Sequence, residues 1–217
     1  MTTLIDIFLH LDRHLFELAA SYGPWIYALL FLIVFAETGL VVTPILPGDS
    51  LLFASGALAA TGVLNIWAVS GLLIVAAVLG DAVNYSAGHY IGPRIFTATD
   101  AAGLVHRLLN REHLAQAHAF FERYGGKAVV LGRFVPIVRT FVPFVAGAGA
   151  MTYSMFAFYN VVGAVAWVGI CAGAGYAFGN VPLVKENFSL VALGIVFVSV
   201  LPAVFEAVKS RRPQAVP

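Results

Sequence analysis

Gly132-Arg133-Phe134-Val135-Pro136-Ile137-Val138-Arg139-Thr140-Phe141-Val142-Pro143 is the stretch whose reading decides the fold. It sets two arginines and two prolines inside an apolar region that runs from Ala128 to Leu131 before it and from Phe144 after it. An arginine at membrane depth costs about 2.5–3.5 kcal/mol on insertion scales. A proline removes a backbone donor and bars a regular helix interior. Four such liabilities in a dozen residues predict a broken, re-entrant segment whose arginines face a protein-lined cavity and grip an anion.

The composition around that stretch sets the class. Of 217 residues, 60% are hydrophobic and only 11% charged, against about 25% charged in a soluble domain. That is too little charge for a soluble surface, so residues 1–217 read as a single polytopic membrane domain. The net charge of +1 provides no basic field to draw nucleic acid. Cys171 is the only cysteine, which excludes an internal disulfide, and it reads as a packing residue.

Outward from the central stretch, the chain divides into five parts. Residues 1–23 do not resemble a signal peptide. Leu4, Phe8, Leu11, Leu15 and Leu18 recur at helical steps opposite Asp6, His10, Arg13 and Glu17, as in an interfacial amphipathic helix. His10 and His14 could share a helix face, but no third metal ligand is evident and no metal is expected. Residues 25–92 form a first repeat. Its apolar run from Trp25 meets Glu37 too early to span, since a span needs about 20 residues. Thr38 to Gly62 then reads as a re-entrant hairpin broken at Pro44, Pro47 and Gly48, with Gly56 and Gly62 allowing close packing. Leu64 to Tyr90 reads as a span stopped by Pro93 and Arg94, with Gly88-x-x-x-Gly92 as a packing edge.

Residues 93–126 are a polar amphipathic segment. In it Asn110 is placed to cap a helix carrying Leu114, Ala117, Phe121 and Tyr124 on one face, and Gly125-Gly126 closes that helix. Residues 127–180 form a second repeat: a hairpin from Lys127 to about Ala150, then a span from Met151 to Phe178 with Gly169, Gly173, Gly175 and Gly179 expected at a tight interface. Residues 188–208 read as a last transmembrane helix. The basic residues after Val208 (Lys209, Arg211, Arg212) place the C-terminus in the cytoplasm, and five Lys/Arg from Arg94 to Lys127 place that segment on the same side.

Ala87-Gly88-His89-Tyr90-Ile91-Gly92 resembles Ala174-Gly175-Tyr176-Ala177-Phe178-Gly179, 87 positions later. With hairpins entering from opposite sides, this predicts an inverted-topology repeat of the kind transporters use. The expected fold is therefore an all-α polytopic membrane protein. It has two inverted repeats, each a re-entrant hairpin plus a transmembrane helix, with an extra C-terminal transmembrane helix and amphipathic interfacial helices.

Glu37, Asp49, Asp81, Arg133 and Arg139 all fall in apolar segments. Left in lipid they would cost on the order of 12 kcal/mol together, comparable to a domain's stability, so they must pair or hold water or ligand. Arg133 and Arg139 are expected to bind an anion, because the guanidinium fork matches phosphate oxygens. Glu37 and Asp49 are expected to counterbalance them in the empty site and to exchange protons with the anion. Asp81 is a further proton-coupling candidate, or a partner for the helix face of Asn84.

These residues resemble the DedA family, also described through its SNARE-associated/VTT domain. The resemblance runs from about Tyr22 to Ala207. It is carried by Glu37 with Pro44-x-x-Pro47-Gly48-Asp49, Gly80-Asp81-x-x-x-Tyr85 leading to Gly92, Phe121-x-x-Tyr124-Gly125, and Gly132-Arg133-Phe134-x-Pro136-x-x-Arg139-Thr140 followed by Pro143-x-x-Ala146-Gly147. It implies a bacterial inner-membrane protein that moves undecaprenyl phosphate or a phospholipid between leaflets in dependence on the proton gradient. It also implies Glu37, Asp49, Arg133 and Arg139 as the functional residues. The partners expected are a lipid with a phosphate headgroup and protons, with a homodimer as a candidate assembly.

Two other readings compete. A proton-coupled small-ion antiporter would use Glu37 and Asp49, but arginines beside a cation route repel. A lipid phosphatase is disfavoured because no Ser-Gly-His, P-loop, Gly-x-Ser-x-Gly or Cys/His cluster occurs. No enzymatic activity and no cofactor are expected.

Overall fold

Gly23 adopts a left-handed turn (φ 51°) and releases the chain into helix α1 (Trp25–Gly39). The computed structural model describes residues 23–40, 48–97, 111–179 and 181–182. The expected N-terminal interfacial helix, the Pro44-Pro47 link, Asn110, and the last transmembrane helix lie outside these residues. Every element among them is helical.

At 1.5 Å per residue, the 15 residues of α1 reach about 22 Å, short of the hydrocarbon core of about 30 Å. The run before Glu37 is therefore too short to span, as expected. Helix α2 (Gly48–Ala60) is buried along almost its whole length. It closes at Gly62, whose φ of 81° needs glycine and beside which a Cβ would meet nothing. Gly62 is thus a turn residue rather than the packing residue the sequence implied.

The side chain of Asn65 then accepts the N–H groups of Trp67 and Ala68, each at 3.0 Å, and so caps helix α3 (Ile66–Thr97). The Asn65 N–H donates to the Tyr27 hydroxyl at 2.9 Å, tying the start of α1 to the start of α3. Pro93 and Arg94 do not stop α3. Its backbone continues to Thr97, because a single missing N–H can be carried when the turns on either side hold.

Helix α4 (Arg111–Tyr124) closes at Gly125 (φ 56°), as the glycine pair predicted, with Phe121 buried beneath it. The central stretch breaks at the first of its prolines but not at the second: Pro143, expected to bar a helix interior, lies within helical backbone that continues to Val145. Helix α5 (Lys127–Gly132) ends, Val135 is extended, and Pro136 opens helix α6 (Pro136–Val145). Proline is tolerated at this first helical position because that N–H has no partner in any helix. A π-helical turn (Ala146–Ala150), kinked at Gly149 (φ 127°), leads to helix α7 (Tyr153–Phe178).

Ile66–Gly92 within α3, at 27 residues, and α7, at 26, are long and apolar enough to cross a membrane. Trp67 and Tyr90, near the two ends of that stretch of α3, are both exposed and stand about 34 Å apart at helical rise. That separation matches the two membrane interfaces, where such rings concentrate. Val75, Leu79 and Val83 form an exposed stripe between them. Such a surface is apolar enough to need covering, and lipid chains supply that cover.

Two apolar cores form. One joins α1 and α2 to the first half of α3 and the second half of α7. The other joins Tyr85 of α3 and Phe156 of α7 to α4, α5 and α6. Their helices approach at glycines. A Cβ on Gly56 would overlap the Ala172 carbonyl, and one on Gly175 the Phe53 carbonyl. One on Gly88 would overlap the Phe144 carbonyl, and one on Gly147 the Tyr85 carbonyl. Gly92 and Gly179 press on Ala148 and Ala57. Gly169 and Gly173, expected beside Gly175 and Gly179, instead face open space. A turn of 3.6 residues puts Gly179 about 40° from Gly175 but Gly173 about 160° away.

Candidate functional site: a guanidinium–carboxylate cluster between two apolar cores

Along α3 the first core holds Ala76 and Ala77 and the second holds Tyr85. Asp81 and Asn84, both buried, fall between them. Along α7 the second core holds Phe156 and the first holds Ala164, with buried Asn160 between. The two long helices thus carry their polar side chains at one level, the seam between the cores. Both positions lie well inside the apolar stretches that could cross a membrane.

Each arginine meets acids at this level. Arg133, just after α5, donates through Nη2 to Asp81 Oδ2 at 2.6 Å and to Asn160 Oδ1. The Asn160 amide nitrogen donates in turn to the Val78 carbonyl at 3.1 Å. Arg139, on the first turn of α6, donates through Nη2 to Glu37 Oε1 and through Nη1 to Asp49 Oδ1 at 3.0 Å. Glu37 also accepts the Gly48 N–H at 3.3 Å, so it sits at the N-terminus of α2, where the helix dipole favours negative charge. Asp49 also accepts the Trp167 indole N–H at 2.8 Å. The Trp167 ring stands against both guanidiniums, 5.9 Å from the Arg133 carbon and 5.8 Å from that of Arg139.

Asn84 completes the cluster. Its amide nitrogen donates to the carbonyls of Thr140 at 2.8 Å and Thr38 at 3.4 Å, joining the end of α1 to α6. Glu37 Oε2, Asn84 Oδ1 and Arg133 Nε are buried without a hydrogen-bond partner.

All five ionisable residues singled out in the sequence therefore come together, although they were expected in a different grouping. Asp81 takes Arg133 rather than the helix face of Asn84, and Arg139 takes both Glu37 and Asp49. Sequence reasoning placed Gly48 in a motif but not in contact with Glu37, and it missed Asn160 and Trp167. An amide inside an apolar helix and a tryptophan far from either interface were the available signals for the last two. His89, stacked on Tyr85, and His118, paired with Glu122, lie elsewhere, while His10 and His14 are outside the described residues.

Glu37, Thr38, Asp81, Arg133, Arg139, Thr140 and Trp167 line a cavity with about 20 Å³ of room for the centre of a water-sized sphere. One such sphere needs about 10–15 Å³. The cavity as it stands therefore suits one or two waters and is too small for a phosphate group. Its cations are engaged by carboxylates.

Residues 46–177 match the family model described as VTT domain. Protein DedA of Escherichia coli (strain K12) is 51% identical over 214 residues, which is 98% of this chain and 95% of that protein. An uncharacterised membrane protein of Mycobacterium leprae (strain TN) is 42% identical over 84% of this chain and 80% of its own. The inner membrane protein YghB of E. coli K12 is 33% identical over 93% and 90%. No solved structure matches. With the motif positions Glu37, Asp49, Asp81, Arg133 and Arg139 gathered at one level of the fold and matches of this extent, the chain belongs to the VTT-domain, or DedA, family.

Proposed function

We propose that this chain is a lipid translocase of the bacterial inner membrane, moving a phosphate-bearing lipid such as undecaprenyl phosphate or a phospholipid between leaflets with the proton gradient. The observation that carries the reading is the buried cluster of two arginines and three carboxylates beside a small cavity, midway along two membrane-length helices. Buried ion pairs stabilise a fold poorly compared with apolar packing, so such a cluster at this depth argues for binding. A guanidinium of the cluster would take the phosphate oxygens while the acyl or prenyl tail stays in lipid.

The inverted-repeat reading has support in the reciprocal glycine contacts. Phe53, Gly56 and Ala57 of α2 correspond to Phe144, Gly147 and Ala148, 91 positions later. Tyr85, Gly88 and Gly92 of α3 correspond to Ala172, Gly175 and Gly179 of α7, 87 positions later. Each contact of the first set with α7 has its counterpart between the second set and α3. On this reading the two Pro-broken segments, 38–62 and 127–150, are hairpins that enter from opposite faces and meet at the cluster. The tail carrying Lys209, Arg211 and Arg212 is then cytoplasmic.

The test is headgroup transfer in proteoliposomes. Arg139→Ala is expected to lower transfer of undecaprenyl phosphate at least a hundredfold while the protein still purifies folded. Wild-type transfer by that variant would remove the basis of the reading. A small-ion antiporter draws on one observation, the excess of carboxylates over arginines. Proton flux driven by a cation gradient in vesicles free of phosphate lipid would favour it instead.

A further inference from the structure

The two arginines are held very differently. The Arg133 side chain is 5% exposed, as is that of its partner Asp81. Its second partner, Asn160, is itself fixed to the Val78 carbonyl. A Cβ on Gly163 would stand 3.1 Å from Arg133 Cδ and Nε, so the α7 backbone closes directly over the arginine stem. Arg139 is 16% exposed and its partner Asp49 is 23% exposed, which makes this the most open ion pair of the cluster; its other partner, Glu37, is 4% exposed and keeps the Gly48 N–H if Arg139 leaves. Glu37 and Asp49 stand at the end of α1 and the start of α2 rather than within the long helices. Breaking a fully buried pair strands a charge without water, whereas a partly hydrated pair separates at far lower cost.

Trp167 lies between the two sets. Its N–H donates to the same Asp49 oxygen that accepts from Arg139 Nη1, and its ring flanks both guanidiniums.

We propose that Trp167 is the positioning residue for an exchange made by one arginine. Arg139 alone leaves its carboxylates to take a phosphate headgroup, while the indole N–H holds Asp49 and the indole ring partitions Arg139 from an intact Arg133–Asp81–Asn160 strut. The inference rests on the lipid-translocase reading and assigns unequal roles to the two arginines within it. Phenylalanine at position 167 keeps a ring but has no N–H. Trp167→Phe therefore leaves Asp49 with one donor fewer once Arg139 moves, and transfer is expected to fall about ten- to a hundredfold, the equivalent of one hydrogen bond to a charged group.

The decisive experiment uses Trp167 as its own reporter. The chain has three tryptophans, and Trp25→Phe with Trp67→Phe leaves Trp167 as the only one. This protein is reconstituted in phosphatidylcholine vesicles with and without undecaprenyl phosphate, and lipid retention is measured in parallel by mass spectrometry. The expected result is a shift in Trp167 emission on adding the phosphate lipid, lost in Arg139→Gln and kept in Arg133→Gln. Should Arg133→Gln fail to fold, Asn160→Ala replaces it, since it removes only one partner of Arg133, and it is expected to keep the shift. Loss of the shift in both arginine-set variants, or a silent Trp167 in protein that retains the lipid, overturns the inference and leaves the translocase reading standing. Absence of lipid retention by the parent protein overturns both.

Discussion

Glu37 is held between Arg139 and Gly48. Arg139 and the Gly48 N–H both bind its Oε1, and the Gly48 Cα lies so close that a Cβ there would overlap the carboxyl group. The carboxyl is the end of a flexible side chain and can swing aside, but only by leaving Arg139. Gly48→Ala is therefore expected to act on function more than on folding. Headgroup transfer should fall by about ten- to a hundredfold, the equivalent of a charge-assisted hydrogen bond of about 1.5–3 kcal/mol. The thermal midpoint in detergent should move only a few degrees. A variant with full transfer would mean that the contact between Glu37 and Arg139 is dispensable. The five charged residues were legible because a charge in an apolar run is conspicuous and expensive. The roles of Gly48, Asn160 and Trp167 were not, because an uncharged residue is less conspicuous in an apolar run even where its burial demands a partner, and only its contacts reveal what it holds.

The elements depend on where helices touch without side chains between them. At Gly56 and Gly175 the opposing atoms are backbone carbonyls, which cannot rotate away, so an added methyl must push α2 and α7 apart. Gly56→Ala and Gly175→Ala are each expected to cost about 1–3 kcal/mol, the usual range for overpacking. Gly169→Ala and Gly173→Ala meet nothing and should be neutral or stabilise by up to about 1 kcal/mol through helix propensity. Thermal unfolding of the four variants in one detergent checks the ordering, and equal midpoints would refute the packing. The sequence identified this helix as glycine-lined, and its length and apolar character were plain. Which glycines face the partner depends on helical phase relative to another element, and α7's own sequence has no record of that. The same limit applies to Pro93 and Pro143: each was read as a stop, yet the backbone stays helical past them to Thr97 and Val145, because the turns around a proline decide whether the helix continues.

The charge of the whole cluster links the two halves of the molecule to the medium. Two guanidiniums face three carboxylates, so with every group ionised the seam carries one net negative charge. A phosphate entering that seam would add at least one more. In a space that holds only a water or two, such like charges repel strongly because little solvent screens them. On the proposed translocase reading, the anion would be taken up stably only if a proton came with it onto one of the carboxyls, and that proton would be released when the anion departed. Uptake should then be favoured from the more acidic side of the membrane. In proteoliposomes an inwardly directed proton gradient is expected to speed inward transfer of undecaprenyl phosphate several-fold, and collapsing it with a protonophore should abolish the difference. Glu37→Gln removes one negative charge permanently, and it is expected to flatten this response while leaving measurable downhill exchange. Equal stimulation by the gradient in wild type and Glu37→Gln would show that Glu37 does not carry the proton, and Asp49 and Asp81 would be the carboxyls left to test.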